Sequence, residues 1–520
     1  MLTALELENF KGIAGRQRID LAPLTLLFGA NSAGKSTILQ ALLYLHELVE
    51  RGSADVDRTE LGGSVLELGG FVRLVHKHEV ERPIILRAEF ATPGGLERFG
   101  RDLTDFILPD LDDEVDSAWL EVTIRFRTTP TFRGPIVDAA TVGVNGHDEP
   151  LVWLATGSSL RDGEPLFVRV NVKHPIFGET AAGAIDEWTR VAVSRGGQLS
   201  LIEEGGPDVP DQLAAADDPS LPVFALSSSL RSALPSLREP LRVLMPGGDE
   251  PTHREEHVVE EVRTFLEMIV LGTTSQLASF LRDALYIGPL RTIPPRGSLY
   301  ERRGRATSWA DGLAAWDLLL ADRLTLVERT NNWLRRLGAG CQVTVQQLFD
   351  RGAEAEEISE GHIDKTVRRL LLETGGGSLV LPSEVGAGIS QVIPVIVAAL
   401  EGRIGLTLIE QPEIHVHPAV QVGLGDLLID AATREGSRRL LLVETHSEHL
   451  LLRLMKRMRE TADDGLPEGA RAVRPKDVSI MIVEKDGSRS IVRQMPLNER
   501  GELVKAWPGG FFEEGLKEVF

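Results

Sequence analysis

The sequence predicts an α/β fold in which helices flank a mixed β-sheet and an inserted lobe adds further strands and helices. An apolar run at 24–28 leads into a glycine-rich loop and then into residues with helical spacing. Two more apolar runs, 406–409 and 440–443, enclose a segment with helical spacing at 420–433. A strand, a helix and a second strand in this order build a parallel sheet. Both ends of the chain are therefore expected to contribute to the sheet.

Residues 1–127 are expected to form the N-terminal half of this fold. At the start of the chain Leu5 and Leu7 alternate with Glu6 and Glu8, as in a half-buried strand. The predicted strands lie near 2–8, 17–21, 24–28, 83–90 and 119–126.

Residues 128–253 are predicted to be an insertion, because Gly, Pro, Ser and Asp are frequent there. Residues 254–380 are predicted to be a helical region, and residues 381–520 to complete the sheet and end in a β-hairpin with Asp486 and Gly487 at its turn. The helical patterns are too short for a long coiled coil. The expected elements are short strands at 166–172 and 191–193, a mobile loop at 203–220, and helices at 254–285 and 308–338.

Composition narrows the class of protein. With 520 residues and 42% hydrophobic content, the chain can bury a large core in two or three lobes. It has no run of 18 apolar residues and no signal-peptide layout, so we expect a soluble cytosolic protein. The only cysteine, Cys341, excludes an internal disulfide framework.

The net charge of −21 opposes nonspecific wrapping of DNA, since DNA affinity depends on neutralised phosphates. Local basic clusters are still allowed. We interpret them mainly as solvated or paired charges and leave a DNA contact open. The candidates are Arg291, Arg296, Arg302, Arg303, Arg305, Lys365, Arg368 and Arg369.

Residues 29–37 match the phosphate-loop pattern G-x-x-x-x-G-K-S/T in its required context. Backbone N–H groups of such a loop bind phosphate oxygens, Lys35 supplies a point charge, and the Ser36 hydroxyl can bind Mg²⁺. The sequence therefore predicts a site for ATP with Mg²⁺. The residues expected to bind the nucleotide here are Gly29, Asn31, Ser32, Ala33, Gly34, Lys35, Ser36 and Thr37.

Polar residues follow two of the buried-strand patterns. Glu410, Gln411 and Glu413 come directly after the first, and His446 follows the second. The carboxyl ends of parallel strands meet at the edge of a sheet where ligands bind. Upstream, a glycine-rich segment precedes the apolar run 392–400 and would let a helix N-terminus approach a γ-phosphate.

These motifs together resemble the ABC-class ATPases of the RecF/SMC/OLD type, and more narrowly the AAA-labelled ATPases that end in a domain called DUF3696. The segments 286–291 and 507–512 fit that group, and the resemblance spans 1–90 and 280–520. It implies a head-to-tail homodimer with ATP between the phosphate loop of one subunit and the glycine-rich signature segment of the other. The implied signature residues are Ser383, Gly386 and Gly388.

The resemblance also implies roles for residues after the strands. Glu410 falls at the metal-acid position, beside Ser36 as the second Mg²⁺ ligand, and His446 falls at the switch-histidine position. The catalytic glutamate is replaced by Gln411, which can orient water but cannot accept its proton. We expect slow turnover, or a substitute role for Glu410 or Glu413. The glutamine that usually contacts the metal in this class of ATPase is also absent from its expected window. Whether a residue within 68–78 replaces it stays open.

Two other chemistries are weighed. His415, His417, His446 and His449 could suggest zinc, but we interpret the first pair as part of the loop at the dimer interface. A nuclease domain of the TOPRIM type needs a D-x-D pair after its first acidic strand, and Asp486 is the last aspartate. We therefore expect no DNA cleavage by the chain alone.

The sequence thus predicts a Mg²⁺-dependent ATPase that switches or clamps through dimerisation. By analogy it would control a nuclease or another effector in prokaryotic genome defence, including antiviral defence, or in DNA metabolism. Two alternatives stay open: an ATP-sensing scaffold with little hydrolysis, and a DNA-end-binding repair ATPase.

Overall fold

The computed structural model describes most of the chain in two compact units. One unit comprises residues 1–20, 37–283 and 485–492, and the other comprises 21–36, 284–484 and 493–520. The described residues are 1–52, 54–56, 65–96, 115–160, 163–177, 185–190, 221–244, 252–294, 308–321, 325–348, 367–401 and 404–508.

The first unit contains a nine-stranded antiparallel sheet. Its strands follow the order β10-β9-β8-β7-β6-β5-β4-β1-β2. They are β1 Leu2–Glu8, β2 Gln17–Asp20, β4 Ile84–Ala91, β5 Ser117–Thr128, β6 Arg133–Val144, β7 Val152–Thr156, β8 Leu166–Val170, β9 Val223–Leu226 and β10 Val243–Leu244.

The alternating sequence patterns explain this sheet. In β4 the buried positions recur with a period near two, because successive side chains point to opposite faces. The predicted strands near 2–8, 17–21, 83–90, 119–126 and 166–172 are confirmed. The sheet continues directly from β5 into β6, so the expected boundary at residue 127 falls inside a hairpin rather than between two sheets.

The helices of the first unit include one that begins in the other unit. Helix α1 starts at the end of the phosphate loop, and the boundary between the units falls in its first turn. A π-helical turn, Glu267–Gly272, connects the third and fourth helices. The helices are α1 Lys35–Arg51, α2 Phe71–Leu74, α3 His253–Leu266 and α4 Thr273–Leu281.

The continuous helix His253–Leu281 is long and apolar enough to cross a membrane by length and composition alone. About 72% of its most apolar window is buried inside the structure, as in the core helix of a soluble protein.

A second sheet has six strands in the order β11-β15-β16-β3-β17-β18, and these strands lie in the second unit apart from residues 485–492, which belong to the first. The four pairings from β11 to β17 are all parallel. The strands are β3 Leu24–Gly29, β11 Leu285–Ile287, β15 Ile404–Glu410, β16 Arg438–Glu444, β17 Val478–Asp486 and β18 Arg489–Gln494. A separate antiparallel sheet contains β12 Cys341–Leu348, β13 Val367–Thr374 and β14 Leu379–Val380.

Helices cover the parallel sheet, which accounts for its almost uniformly apolar strands. Residues 440–444 of β16 are all buried. One continuous core links the sheet to the helices, with Trp316 among its largest fully buried side chains. The helices are α5 Leu313–Ala321, α6 Thr325–Arg336, α7 Ala387–Leu400, α8 Pro418–Thr433 and α9 Glu448–Ala462.

The predicted C-terminal hairpin is confirmed as β17 and β18, and the Met495 N–H donates to the Ile480 carbonyl at 2.8 Å. Several other expectations lie outside the described residues: the strand at 191–193, the loop at 203–220, and the basic residues Arg296, Arg302, Arg303, Arg305 and Lys365. The four-part division of the chain stays a prediction.

Candidate functional site

The phosphate loop lies between β3 and α1, where the sequence places it. Gly29 ends the strand with φ of 145°, and a Cβ there would meet the Val483 carbonyl oxygen at 2.2 Å. Ser32 and Gly34 also have positive φ, at 60° and 109°. Successive backbone N–H groups in such turns form anion-binding concavities. The backbone of the loop therefore suits a phosphate group.

Lys35 is held at the base of this loop. Its side chain is 3% exposed, and its Nζ donates to the carbonyls of Gly29 at 3.1 Å and Ala30 at 3.0 Å. Burial lowers the pKa of Lys35, and the charge of Glu444, with Oε1 at 3.6 Å from Nζ, opposes this. An incoming phosphate would add a second anionic partner for this buried ammonium, beside Glu444.

Ser36 contacts a carboxylate from the neighbouring strand. Its hydroxyl donates to Glu444 Oε2 at 2.6 Å, and Glu444 is only 4% exposed. The parallel pairing of β16 with β3 aligns Glu444 with Leu27, so the acid lies beside the start of the phosphate loop. Glu444 thus joins the two side chains expected to meet the nucleotide and its metal.

Glu410 lies at the end of the next strand, beside Glu444 in the β15–β16 register. Its Oε1 accepts a hydrogen bond from the Tyr286 hydroxyl at 2.8 Å. Burial and the nearby Glu444 charge raise the pKa of Glu410 to about 7, and the Tyr286 hydrogen bond opposes the increase. Two carboxylates at adjacent strand ends repel each other, so the pair favours a cation or a proton.

The loop after β15, residues 411–417, is called the acid loop below. It begins at Gln411, whose φ is 43° and whose N–H donates to the Glu444 carbonyl at 2.7 Å. Glu413 Oε1 accepts from the His446 N–H at 2.6 Å. Burial raises the pKa of Glu413, which this hydrogen bond opposes. The acid loop is therefore held against the end of β16.

Besides Arg291 Nε, two buried atoms of this region have no hydrogen-bond partner among the described residues: Glu413 Oε2 and His446 Nε2. Burial, followed by the charge of Lys35, lowers the pKa of His446, so a neutral imidazole is favoured. Buried polar atoms without partners are uncommon in proteins. A bound nucleotide with its water would supply partners for both.

The segment Ser383–Gly388, called the signature segment below, includes the N-terminus of α7. Ser383 and Gly386 are exposed, and Gly386 precedes the first helical residue without a side-chain cap. Gly388 packs tightly, since a Cβ there would meet the His415 carbonyl oxygen at 2.4 Å. This helix N-terminus therefore has no side-chain cap among the described residues.

Mg²⁺ and ATP fit the residues that are present. Mg²⁺ is usually bound by one or two side-chain oxygens together with substrate phosphates and water. Within the described ranges, no preformed group of three or more His, Cys, Asp or Glu residues could hold a metal by itself. Ser36, Glu410 and Glu444 are the residues that could supply oxygen ligands to such an incomplete site.

The histidines of the acid loop have other positions. His417 precedes α8, and its Nδ1 accepts from the Ala419 N–H at 3.2 Å. His415 is exposed with φ of 61°. Among the described residues, neither imidazole has a second metal-binding side chain as a contact.

The structure brings Lys35, Ser36, Glu410, Glu413 and His446 together, as the strand-end pattern suggests. Sequence reasoning missed Glu444, Tyr286 and Arg291 as parts of this site. A signal for Glu444 was available, because it ends a buried strand directly before the predicted switch histidine. Arg291 was treated as a member of a basic patch, whereas it is 4% exposed and bonds the acid loop.

Two family models match the chain on either side of the middle region. The model described as "AAA domain, putative AbiEii toxin, Type IV TA system" matches residues 294–453. The model described as "AAA ATPase domain" matches residues 1–93. The chain therefore carries AAA-type ATPase domain sequence at both halves of its nucleotide site, which supports ATP binding and ATPase activity.

Solved structures of SMC heads are similar in fold to this chain. The SMC head domain from Thermotoga maritima is 9% identical, with 95% of this chain and 99% of that chain covered and a TM-score of 0.36. An SmcHead bound to the C-winged helix domain of ScpA is 9% identical over 95% and 98%, with a TM-score of 0.40. A Smc head with an extended coiled coil, bound to the C-terminal domain of ScpA derived from Pyrococcus furiosus, is 10% identical over 100% and 98%, with a TM-score of 0.37.

No curated protein matches the chain. The fold is α/β, with a parallel sheet that carries the phosphate loop and the acids, as in P-loop ATPases.

Replacing Tyr286 by Phe should move the pH dependence of ATP turnover. The hydroxyl stabilises the charged form of Glu410, so its loss raises the pKa of Glu410 above about 7. Because the carboxylate is needed at the site, kcat/KM should fall about three- to tenfold below pH 7 and recover at high pH.

The measurement is the pH profile of kcat/KM for Mg-ATP, which reports groups of the free enzyme. Tyr44→Phe is the matched control, since Tyr44 donates to the Ala54 carbonyl at 2.8 Å rather than to a carboxylate. An unchanged profile in Tyr286→Phe would contradict this assignment.

Proposed function

We propose that this protein binds Mg-ATP, hydrolyses it slowly, and uses the nucleotide to drive head-to-tail homodimerisation. The observation that carries the proposal is the contact of the phosphate-loop Ser36 with Glu444, with Lys35 beside both. The glycine-rich loop, a cationic side chain and two carboxylates at one sheet edge support the proposal. That is the combination that phosphoryl transfer requires.

Each group of the site has an electrostatic role. The loop N–H groups and Lys35 would hold the phosphates of ATP, while Ser36, Glu410 and Glu444 would hold the cation. Bound Mg²⁺ would neutralise charge that develops on the phosphate oxygens during transfer. In the nucleotide complex the Ser36 hydroxyl would bind the cation through an oxygen lone pair while its hydrogen is still donated to Glu444.

Activation of the attacking water is assigned to Gln411 and Glu413 together. Gln411 occupies the position where the ABC pattern has a glutamate, and its amide can orient a water without accepting a proton. Glu413 Oε2 is buried and has no partner among the described residues, and the pKa of Glu413 is raised. A carboxylate with a raised pKa is a better proton acceptor. Glu413 is therefore the proposed base.

The exposed signature segment supports the dimer. Ser383 and Gly386 are open to solvent, and the helix behind them has its first N–H groups available. An anion is the natural partner for this end of a helix. A γ-phosphate bound in a second copy would provide one, so that two nucleotides would lie between two chains.

A role in controlling an effector rests on analogy. One matching family model carries the description of a toxin in a Type IV TA system. We propose that the nucleotide-linked dimer controls a nuclease or other effector protein in prokaryotic genome defence or DNA metabolism. We also propose that the chain alone does not cut DNA.

The alternative of an ATP-sensing scaffold is favoured by one observation. Gln411 stands at the position of the catalytic glutamate in the ABC pattern, and its amide cannot take a proton from water. Such a protein would dimerise with ATP and turn over very little.

Replacing Glu413 by Gln should remove turnover and leave nucleotide binding. The amide keeps an oxygen for the His446 N–H but cannot accept the proton of water. We expect steady-state phosphate release to fall about 100-fold or more. Lys35→Ala should abolish both turnover and binding, because the buried charge that meets the phosphates is lost.

Glu435→Gln is the matched control, since Glu435 is exposed. Full activity in Glu413→Gln would refute the assignment of the base. A wild type that binds ATP and dimerises without releasing phosphate would identify the scaffold instead.

Light scattering tests the dimer. With Mg-ATP, the Glu413→Gln protein should double in mass, because the bound nucleotide is not consumed. Adding Ser383→Arg should keep it monomeric with unchanged ATP affinity, since the arginine obstructs the signature segment and not the phosphate loop. Ser488→Arg, in the exposed β17–β18 turn, is the control. A dimer that persists in Ser383→Arg would place the interface elsewhere.

A further inference from the structure

Arg291 is a buried arginine whose donors point at backbone carbonyls. Its Nη2 donates to the Glu410 carbonyl at 2.6 Å and to the Gln411 carbonyl at 3.2 Å. Burial lowers the pKa of Arg291 to about 10, and the charges of Glu413 and Glu410 oppose this. A guanidinium is costly to bury, so its planar donor set must serve a defined geometry. Here that geometry is the junction of β15 and the acid loop.

The same arginine is joined to the signature helix by reciprocal bonds. The backbone N–H of Arg291 donates to Gln391 Oε1 at 3.1 Å, and Gln391 Nε2 donates to the backbone carbonyl of Arg291 at 2.6 Å. Arg291 Nη1 also lies 3.4 Å from the Gln391 carbonyl, to which it donates. Gln391 belongs to the second turn of α7 and is 8% exposed. Arg291 therefore connects the helix that carries the signature segment to the residues that carry the chemistry.

A second contact joins the same two elements. Gly388, in the first turn of α7, lies so close to the His415 carbonyl that a Cβ would approach it to 2.4 Å. Gln411 and His415 both have positive φ, at 43° and 61°. Such conformations persist only where the surroundings hold them. The acid loop thus approaches α7 directly at His415 and is joined to it through Arg291 at Gln411.

We propose that Arg291 and Gln391 form a coupling clamp, which links the signature segment of a chain to that chain's own acid loop. This inference rests on the proposed dimer, in which the signature segment meets the partner's nucleotide while the acid loop meets the chain's own. Binding at one nucleotide site then positions Glu410 and Gln411 at the other. Arg291 and Gln391 are positioning residues, and the clamp makes the two sites cooperative.

A conservative pair of variants separates coupling from stability. Arg291→Lys keeps the charge but cannot bridge the carbonyls of Glu410, Gln411 and Gln391 at once. Arg439→Lys is the matched control, because Arg439 is also buried and bonds backbone carbonyls of α7, at its other end. Its remaining partner is the Thr407 hydroxyl in β15, away from the acid loop. Thermal unfolding of both variants gives the structural cost of each change.

The measurement is Mg-ATP turnover against ATP concentration, with ATP affinity of the monomer measured separately. We expect a wild-type Hill coefficient above 1 and a value of about 1 in Arg291→Lys, with kcat about tenfold lower and monomer affinity unchanged. Gln391→Met should reproduce this loss of cooperativity, whereas Arg439→Lys should keep it despite a similar loss of thermal stability. If turnover is absent, the same comparison is made on ATP-driven dimerisation.

The outcomes separate the clamp from the proposed function. A wild type with neither turnover nor ATP-driven dimer overturns both. If the wild type is cooperative and Arg291→Lys keeps the same cooperativity, the clamp alone is overturned. A wild type that turns over ATP or dimerises without cooperativity also overturns the clamp alone. Equal losses of cooperativity in Arg291→Lys and Arg439→Lys would show a general structural effect and would also overturn it.

Discussion

The strands β3, β15 and β16 end at one edge of the parallel sheet, and this edge determines where the residues of the site lie. Its central contact is the Ser36–Glu444 hydrogen bond. Parallel pairing forces the three strand ends to the same side. Lys35 faces the charges of Glu444, Glu413 and Glu410 there, and the buried Arg291 also faces Glu413 and Glu410. Two cations thus meet three acids. A divalent cation would offset the repulsion between the Glu410 and Glu444 carboxylates.

Burial and the nearby Glu444 charge together raise the pKa of Glu410. Its pKa of about 7, against an ordinary value of 4.5, corresponds to a cost of about 3 kcal/mol for the charged form. Two neighbours reduce that cost. Tyr286 donates to the Glu410 carboxylate, and Arg291 donates to the Glu410 backbone carbonyl. The acid is therefore kept near the point where a small change in its surroundings decides its charge. Nucleotide binding with Mg²⁺ is such a change, and the coupling clamp gives it a route to the signature helix.

Much of this could be predicted from the sequence. The phosphate loop has a fixed spacing and the apolar strand β3 before it, and β15 and β16 are short, mostly apolar runs that each end in a glutamate, so all three strands could be assigned directly. The antiparallel hairpin of β17 and β18 was recognisable from its Asp-Gly turn. These features are local, and local patterns determine them.

The remainder depends on contacts between residues far apart in the chain. Arg291 and Gln391 are separated by 100 positions, and Ser36 and Glu444 by 408. A basic residue near other arginines has the composition of a surface patch, so nothing local shows that Arg291 is buried under the acid loop. The sheet continues past the predicted lobe boundary at residue 127. Glycine and proline in the following segment mark turns between strands and not an end of the sheet.

Nucleotide affinity with and without the metal tests the central claim most directly. ATP would be titrated into the wild-type chain by calorimetry, once with Mg²⁺ and once with chelator, and the Mg²⁺ titration repeated on Lys35→Ala. The account predicts ATP binding that weakens at least about tenfold without Mg²⁺, since uncompensated carboxylates then face the phosphates, and no measurable binding to Lys35→Ala. Equal affinity with and without Mg²⁺, or unchanged affinity in Lys35→Ala, would contradict it.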